Sequence, residues 1–244
     1  MKSSFVTRAG STVPAITAAQ MREVDRVAVD GAGPTLLQMM ENAGRELASI
    51  AMDMLGQMWA RSRVAVMAGT GGNGGGGICA ARHLANRGVD VTVVTTDGHR
   101  LNAEARTQLD SYLLSPGKAG GQELLGDLRA DLAIDAVIGY GTEGAPRGAA
   151  RVLIEWTGQA SALVLSLDVP SGLDATTGLS PGARVVADRT LTLALPKTGL
   201  AAPEVGELWL ADIGIPSGVF REAGIIGVPP DLFGSAFRIP LQSG

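Results

Sequence analysis

The run Gly69-Thr70-Gly71-Gly72-Asn73-Gly74-Gly75-Gly76-Gly77 carries the densest chemical signal in the sequence. Glycine permits positive φ and puts no Cβ in the way of a ligand. Successive backbone N–H groups beside a helix start form a concavity for anions. The run therefore points to a phosphate or pyrophosphate; the plainer alternative is a flexible strand-to-helix turn. Gly69 to Gly74 also satisfy the bare G-x-G-x-x-G spacing of dinucleotide sites, which is weak alone, with Asp97 as the candidate acid for a ribose hydroxyl. No Gly-Lys-Ser/Thr follows, which argues against a Walker-type phosphate loop.

Further polar residues stand within or at the ends of apolar runs. Asp135 lies in Ile134-Asp135-Ala136-Val137-Ile138-Gly139, where a charge is costly unless a cation or donors meet it. It reads as a ligand-side acid or as a turn residue capped by N–H groups. Asp168 ends the run before Val169-Pro170-Ser171-Gly172-Leu173-Asp174, in a turn that Pro170 and Gly172 stiffen. It suits a general base or a partner for a ligand hydroxyl, and equally an Asx turn. Lys197, in Pro196-Lys197-Thr198-Gly199-Leu200, reads first as a solvated turn lysine that an anionic ligand could recruit. Asp212 is as ambiguous, and His83 and His99 take the plain reading of packed or surface histidines.

These residues need elements to position them. Thr17 and Gln20, then Thr35 and Gln38, have capping-box spacing and predict helices to about Val29 and Leu55. The second has a methionine-rich face that reads as core rather than interface. From Arg63 onward, short apolar runs alternate with helical stretches. Strands are expected at Arg63–Ala68, Asp90–Thr96, Leu132–Ile138, Ala162–Leu167, Thr190–Ala194 and Leu208–Leu210. Helices are expected at Ile78–Asn86, Asn102–Leu114 and Ala150–Thr157. Strands apolar throughout belong inside a parallel sheet covered on both faces, so the alternation predicts a doubly wound α/β sandwich. Residues 1–15 read as a flexible segment, 16–216 as the domain, and 217–244, with Pro229, Pro230 and Pro240, as an irregular tail.

Composition narrows the function classes. With 244 residues, 45% of them hydrophobic, there is material for one sizeable core. A net charge of −4 and 4% aromatic residues give nucleic-acid binding little basis. One cysteine excludes an intrachain disulfide framework, and two histidines beside it make a structural zinc site improbable. Neither a signal peptide nor a membrane span is indicated.

Taken together, several segments resemble the NAD(P)H-hydrate epimerase family in order and spacing, over about residues 16–216. They are Met40-Glu41-Asn42-Ala43-Gly44, the glycine run with Ala80-Ala81-Arg82-His83-Leu84, Asp135 to Gly139, Arg147-Gly148, Asp168 to Asp174, Pro196 to Leu200, and Asp212-Ile213-Gly214-Ile215-Pro216. The resemblance implies a Rossmann-like three-layer α/β/α sandwich with a mostly parallel sheet, as a cytoplasmic homodimer. It implies interconversion of the R and S forms of hydrated NADH and NADPH, coupled in function to an ATP- or ADP-dependent NAD(P)H-hydrate dehydratase. Position by position, it implies that Asn73, Asp135 and Ser171 hold a potassium ion. The ligand would be held by Gly72, Asn73, Gly74, Gly75 and Gly76 and by Gly139, Tyr140, Gly141, Thr142, Glu143, Gly144 and Ala145. Asp168 would also hold the ligand and act as the acid/base at the hydrated ring. That family usually carries asparagine and aspartate where this chain has Gly72 and Gly76, and a hydrogen bond to a charged group is worth about 1.5–3 kcal/mol. The alternative those glycines favour is a non-catalytic nucleotide-binding or scaffold module on the same fold. A third reading is the epimerase half of a two-domain repair protein.

Overall fold

A computed structural model describes residues 4–31, 33–141, 144–160 and 162–242. The chain opens with the hairpin β1 (Ser4–Thr7) and β2 (Thr12–Pro14), then α1 (Ala18–Asp30) and α2 (Leu36–Leu55). Both helices start with the expected capping boxes, on Thr17/Gln20 and Thr35/Gln38. Next come β3 (Arg63–Ala68), α3 (Gly72–Ala85), β4 (Asp90–Thr95), α4 (Ala103–Tyr112) and β5 (Lys118–Gly120). The second half holds β6 (Leu132–Ala136), α5 (Gly148–Gln159), β7 (Leu163–Leu167), β8 (Arg189–Leu193), β9 (Glu207–Ala211), α6 (Ser217–Glu222) and β10 (Arg238–Gln242).

The strands form one sheet in the order β2-β1-β10-β9-β8-β7-β6-β3-β4-β5. From β9 to β5 every pairing is parallel, and β10, β1 and β2 add on antiparallel. From β3 the chain winds outward through β4 to β5, then returns to β3's other side with β6 and winds away through β7, β8 and β9. The loops leaving β3 and β6 therefore diverge, opening the crevice where doubly wound sheets bind ligands. All five residues of β6 are buried, as a strand covered on both faces requires.

Two terminal readings need correction. Residues 4–14 pair as strands, and the tail supplies β10, which bonds both β9 and β1. The β1 pattern is too short to show a period, and its partner lies at the far end of the chain, with Val6 opposite Gln242. Pro240 spoke against an interior strand, yet it pairs opposite Trp209. Helix α3 also begins earlier than Ile78, inside the glycine run itself.

Close packing explains that early start. A Cβ built on Gly74 would lie 1.9 Å from the Gly69 carbonyl oxygen, and one on Gly77 would lie 2.5 Å from the Ala136 Cβ. On the outer side, a Cβ on Gly75 would meet Met40 at 2.9 Å and the Ala105 Cα at 3.2 Å. The glycines let α3 lie directly against β3, β6, α2 and α4. By contrast, a Cβ on Gly71 would have nothing within 4 Å. Gly74→Ala is expected to destabilise the fold by at least about 1–3 kcal/mol through overpacking. Gly71→Ala should stay within about 0.5 kcal/mol of the parent; urea unfolding of the two variants checks both.

Candidate active site

A cavity of about 910 Å³ sits in the crevice between the carboxyl ends of β3 and β6. Its floor is the turn from Gly69 to Asn73, and its rim runs from Val137 to Gly141 and from Gly144 to Arg147. Leu36, Met39 and Met40 of α2 form an apolar wall, while Asp25, Asp168 and Lys197 bring charge.

Helix α3 points its amino end at this floor. Its N-cap, Gly71, offers no side-chain cap, and the first helical bond runs from Gly75 N–H to the Gly71 carbonyl at 3.0 Å. The N–H groups of Gly72, Asn73 and Gly74 thus have no intrahelical acceptor, a ready seat for an anion. The Asn73 Nδ2 is buried without a partner. Arg147, exposed on the rim, adds a cation at the mouth.

On the opposite side, β7 and β8 both end in a tight γ-turn. Val169 N–H donates to the Leu167 carbonyl at 2.9 Å around Asp168, whose φ is 67°. Leu195 N–H donates to the Leu193 carbonyl at 2.7 Å around Ala194, whose φ is 63°. Left-handed backbone is unfavourable for residues with a Cβ, and such turns with positive φ are rare. What holds them is a buried ion pair: the Lys197 ammonium donates to Asp168 Oδ1, and the two residues are 0% and 3% exposed. Lys197 also donates to the Leu193 carbonyl at 2.9 Å and Thr192 Oγ1 at 3.4 Å. Asp168 accepts from the N–H groups of Leu193 at 3.4 Å and Tyr140 at 3.3 Å. The expectation of a solvated turn lysine is therefore overturned. Nothing in the local sequence marked Lys197 as buried, because its counterion lies 29 residues away.

Tyr140 joins a further acid to this group. Its hydroxyl donates to Asp25 Oδ2 of α1, and its ring centroid lies 5.6 Å from Lys197 Nζ. Burial pushes the Asp25 carboxyl above its ordinary range, although the Tyr140 hydrogen bond and the Lys197 charge oppose the shift. Burial likewise raises the Tyr140 phenol, helped by the Asp25 charge.

Asp135 does not line the cavity; it lies one layer beneath, fully buried. It accepts from Ser171 Oγ at 2.5 Å, Ser171 N–H at 2.8 Å, Ser166 Oγ at 2.8 Å and Val137 N–H at 3.3 Å. All four donors are neutral, and desolvation holds its carboxyl above the usual range. Ser171 Oγ also accepts from Ile138 N–H at 2.8 Å, so the pair pins the start of the rim.

Of the residues expected to hold ligand, Gly72, Asn73, Gly76, Gly139, Tyr140, Gly141, Gly144, Ala145 and Asp168 line the cavity. Gly74 and Gly75 turn into helix packing instead. Thr142 and Glu143 lie outside the described residues. Asp97 caps the short turn at His99, donor N–H to Oδ1 3.0 Å, and does not reach the cavity. The sequence reading passed over Asp25, the Tyr140 hydroxyl and the Glu41 cluster. In that cluster Glu41 accepts from Arg82 at 2.5 Å and Cys79 at 3.4 Å and lies 2.8 Å from His83 Nε2. The cluster clamps α2 to α3, and Arg82 supplies the counterion.

Comparisons with known proteins agree on a family. Residues 36–199 match the family described as YjeF-related protein N-terminus. An NAD(P)H-hydrate epimerase of Dehalogenimonas lykanthroporepellens is 48% identical over 225 residues, covering 92% of this chain and 92% of that protein. One from Limosilactobacillus fermentum is 37% identical over 79% of this chain and 91% of its own length. A bifunctional NAD(P)H-hydrate repair enzyme, Nnr, of Moorella thermoacetica is 39% identical over 82% of this chain, which spans 40% of that longer protein. Among solved structures, yeast ynu0 superposes with a TM-score of 0.79 at 19% identity, covering 93% of this chain and all of the yeast chain. That last likeness concerns the fold alone.

The buried pair makes a direct prediction. Lys197→Met strands a desolvated carboxylate and is expected to cost about 3–5 kcal/mol, whereas Lys197→Met with Asp168→Asn should recover part of that loss. A double-mutant cycle by urea unfolding measures the coupling.

Proposed function

The chain belongs to the family of YjeF-related protein N-termini, and from that premise we propose that it epimerises hydrated NADH and NADPH. The observation that carries this reading is one cavity with two unlike ends: the open amino end of α3 for phosphate, and the buried Asp168–Lys197 pair for proton transfer. Its volume lies near the top of the ligand-cavity range of about 300–1,000 Å³, as a nucleotide requires.

The substrate chemistry suits that pair. Hydration of an enamine double bond puts the hydroxyl on the carbon beside the ring nitrogen. The nitrogen lone pair can open that carbon–oxygen bond if the leaving oxygen receives a proton. Lys197 holds such a proton next to Asp168, and the methionine wall shields the ring from bulk water. Charge placed before the reaction, in a dry site, is where electrostatic catalysis is strongest.

Asn73, Asp135 and Ser171 would hold a potassium ion. In support, they offer hard oxygen donors, and a fully buried Asp135 met only by neutral donors lacks a compensating cation among the described residues. The ion would supply charge compensation there and stiffen the rim against the glycine turn. A homodimer in the cytoplasm, working alongside an NAD(P)H-hydrate dehydratase, completes the reading. That the Moorella relative is named a bifunctional NAD(P)H-hydrate repair enzyme supports a second, coupled activity. No described helix is long and apolar enough to cross a membrane.

One observation favours a non-catalytic nucleotide-binding module instead. Gly72 and Gly76 bring no side chain to the cavity, although a Cβ on Gly72 would touch only Met40 Cε, at 3.7 Å. Turnover separates the two readings. Asp168→Asn is expected to slow epimerisation by about 10²–10⁴, the usual share of a general acid–base group. Undiminished epimerisation would refute the role. Potassium at ten times its dissociation constant should stabilise the protein by about 1.4 kcal/mol, roughly 3–6 °C in Tm. Choline chloride at equal ionic strength should not, and Asp135→Asn should abolish the difference.

A further inference from the structure

Epimerisation by loss and return of a hydroxyl needs proton transfer on both faces of the ring. Lys197 and Asp168 form one proton-handling centre. Tyr140 meets that centre through its main chain, its N–H donating to Asp168 Oδ2 at 3.3 Å. Its ring centroid also lies 5.6 Å from Lys197 Nζ, while its hydroxyl donates to Asp25 on α1, and both residues line the cavity.

A bond that merely tied the rim to α1 would need no charge. An asparagine carbonyl would accept the Tyr140 hydroxyl without the desolvation penalty that a half-buried carboxylate carries. A carboxylate is distinguished by being able to keep the proton it is offered. Burial raises the proton affinity of Asp25, in line with that task.

We propose, on the epimerase reading, that Tyr140 with Asp25 as its proton acceptor is a second acid–base arm, serving the ring face opposite Lys197. In one direction the Lys197 ammonium protonates the ring hydroxyl. The carbon–oxygen bond breaks with its electron pair on oxygen, the nitrogen lone pair forms a carbon–nitrogen double bond, and water departs. A second water then attacks the same carbon from the Tyr140 side, and the double-bond pair returns to nitrogen. The attacking water's proton passes to the Tyr140 oxygen as the phenol proton moves to Asp25. Solvent then carries a proton from Asp25 back to neutral Lys197. The reverse reaction exchanges the two arms, and one water is released for each one added.

The test follows inversion and oxygen exchange together, in water enriched in ¹⁸O, with rates measured without protein subtracted. The parent protein should incorporate one solvent oxygen for each inversion. Tyr140→Phe keeps the ring, its contact with Lys197 and its N–H, and Asp25→Asn keeps an acceptor. In both, inversion should fall at least a hundredfold. Exchange with retention should fall at least tenfold less than inversion, because the Lys197 arm still expels and returns water on its own face. Inversion without solvent oxygen in the parent overturns the two-arm route. So does parent-like inversion in either variant, or an equal fall in inversion and exchange, which would leave Tyr140 only a positioning role. Thermal unfolding within a few degrees of the parent confirms the fold of each variant. Absence of both activities in the parent would instead sink the epimerase reading itself.

Discussion

A carboxylate and an ammonium withdrawn from water tolerate burial only as each other's counterion, and the site is organised around that constraint at Asp168 and Lys197. The pair holds β7 and β8 at their carboxyl ends, where both chains bend through left-handed residues. Each strained turn by itself is unfavourable; together they aim an acid and a cation at the same point. The Ile16 backbone reinforces the arrangement from outside, donating to the Pro196 carbonyl at 2.9 Å and accepting from Thr198 N–H at 3.0 Å. Lys197 thus sits on a segment bonded on both sides of its own residue.

The glycine run performs two tasks that sequence alone merges. Gly71 and Gly72 leave the amino end of α3 bare, as the proposed phosphate seat requires. Gly74, Gly75 and Gly77 have no room for a side chain, which serves packing against the sheet and the flanking helices. The second task makes the first possible, since an α3 held farther from β6 would not bring its amino end to the crevice floor. A single composition signal therefore covers both a binding surface and a helix interface.

Much of this was legible in residue order. Capping boxes, buried strand runs and their alternation with helices gave the doubly wound sheet, and Asp168 stood out at a strand end. Features set by distant partners were not legible. Tyr140 and Asp25 are 115 residues apart, so neither announces the other. Lys197 resembles any turn lysine until its counterion is known. Asp135 read either as a ligand-side acid or as a turn residue capped by N–H groups, and residue order alone did not choose between them. Asp135 meets Ser166 on the neighbouring strand and Ser171 in the turn beyond β7, and it acts on the rim through Ser171. The terminal strands failed for the same reason, since β1 has an alternation too brief to read without the strand that completes it.

That last pairing has a consequence for how the molecule assembles. With Val6 set against Gln242 and Thr7 against Leu241, β1 joins the main sheet only through the final strand of the described chain. During synthesis the hairpin of β1 and β2 must wait, with its edge unpaired, until Arg238–Gln242 has emerged. The parallel core from β3 to β9 can form meanwhile, so the antiparallel flank is the last part of the sheet to close. An exposed edge during that interval is a template for wrong partners. The interval lengthens with every residue inserted before Arg238.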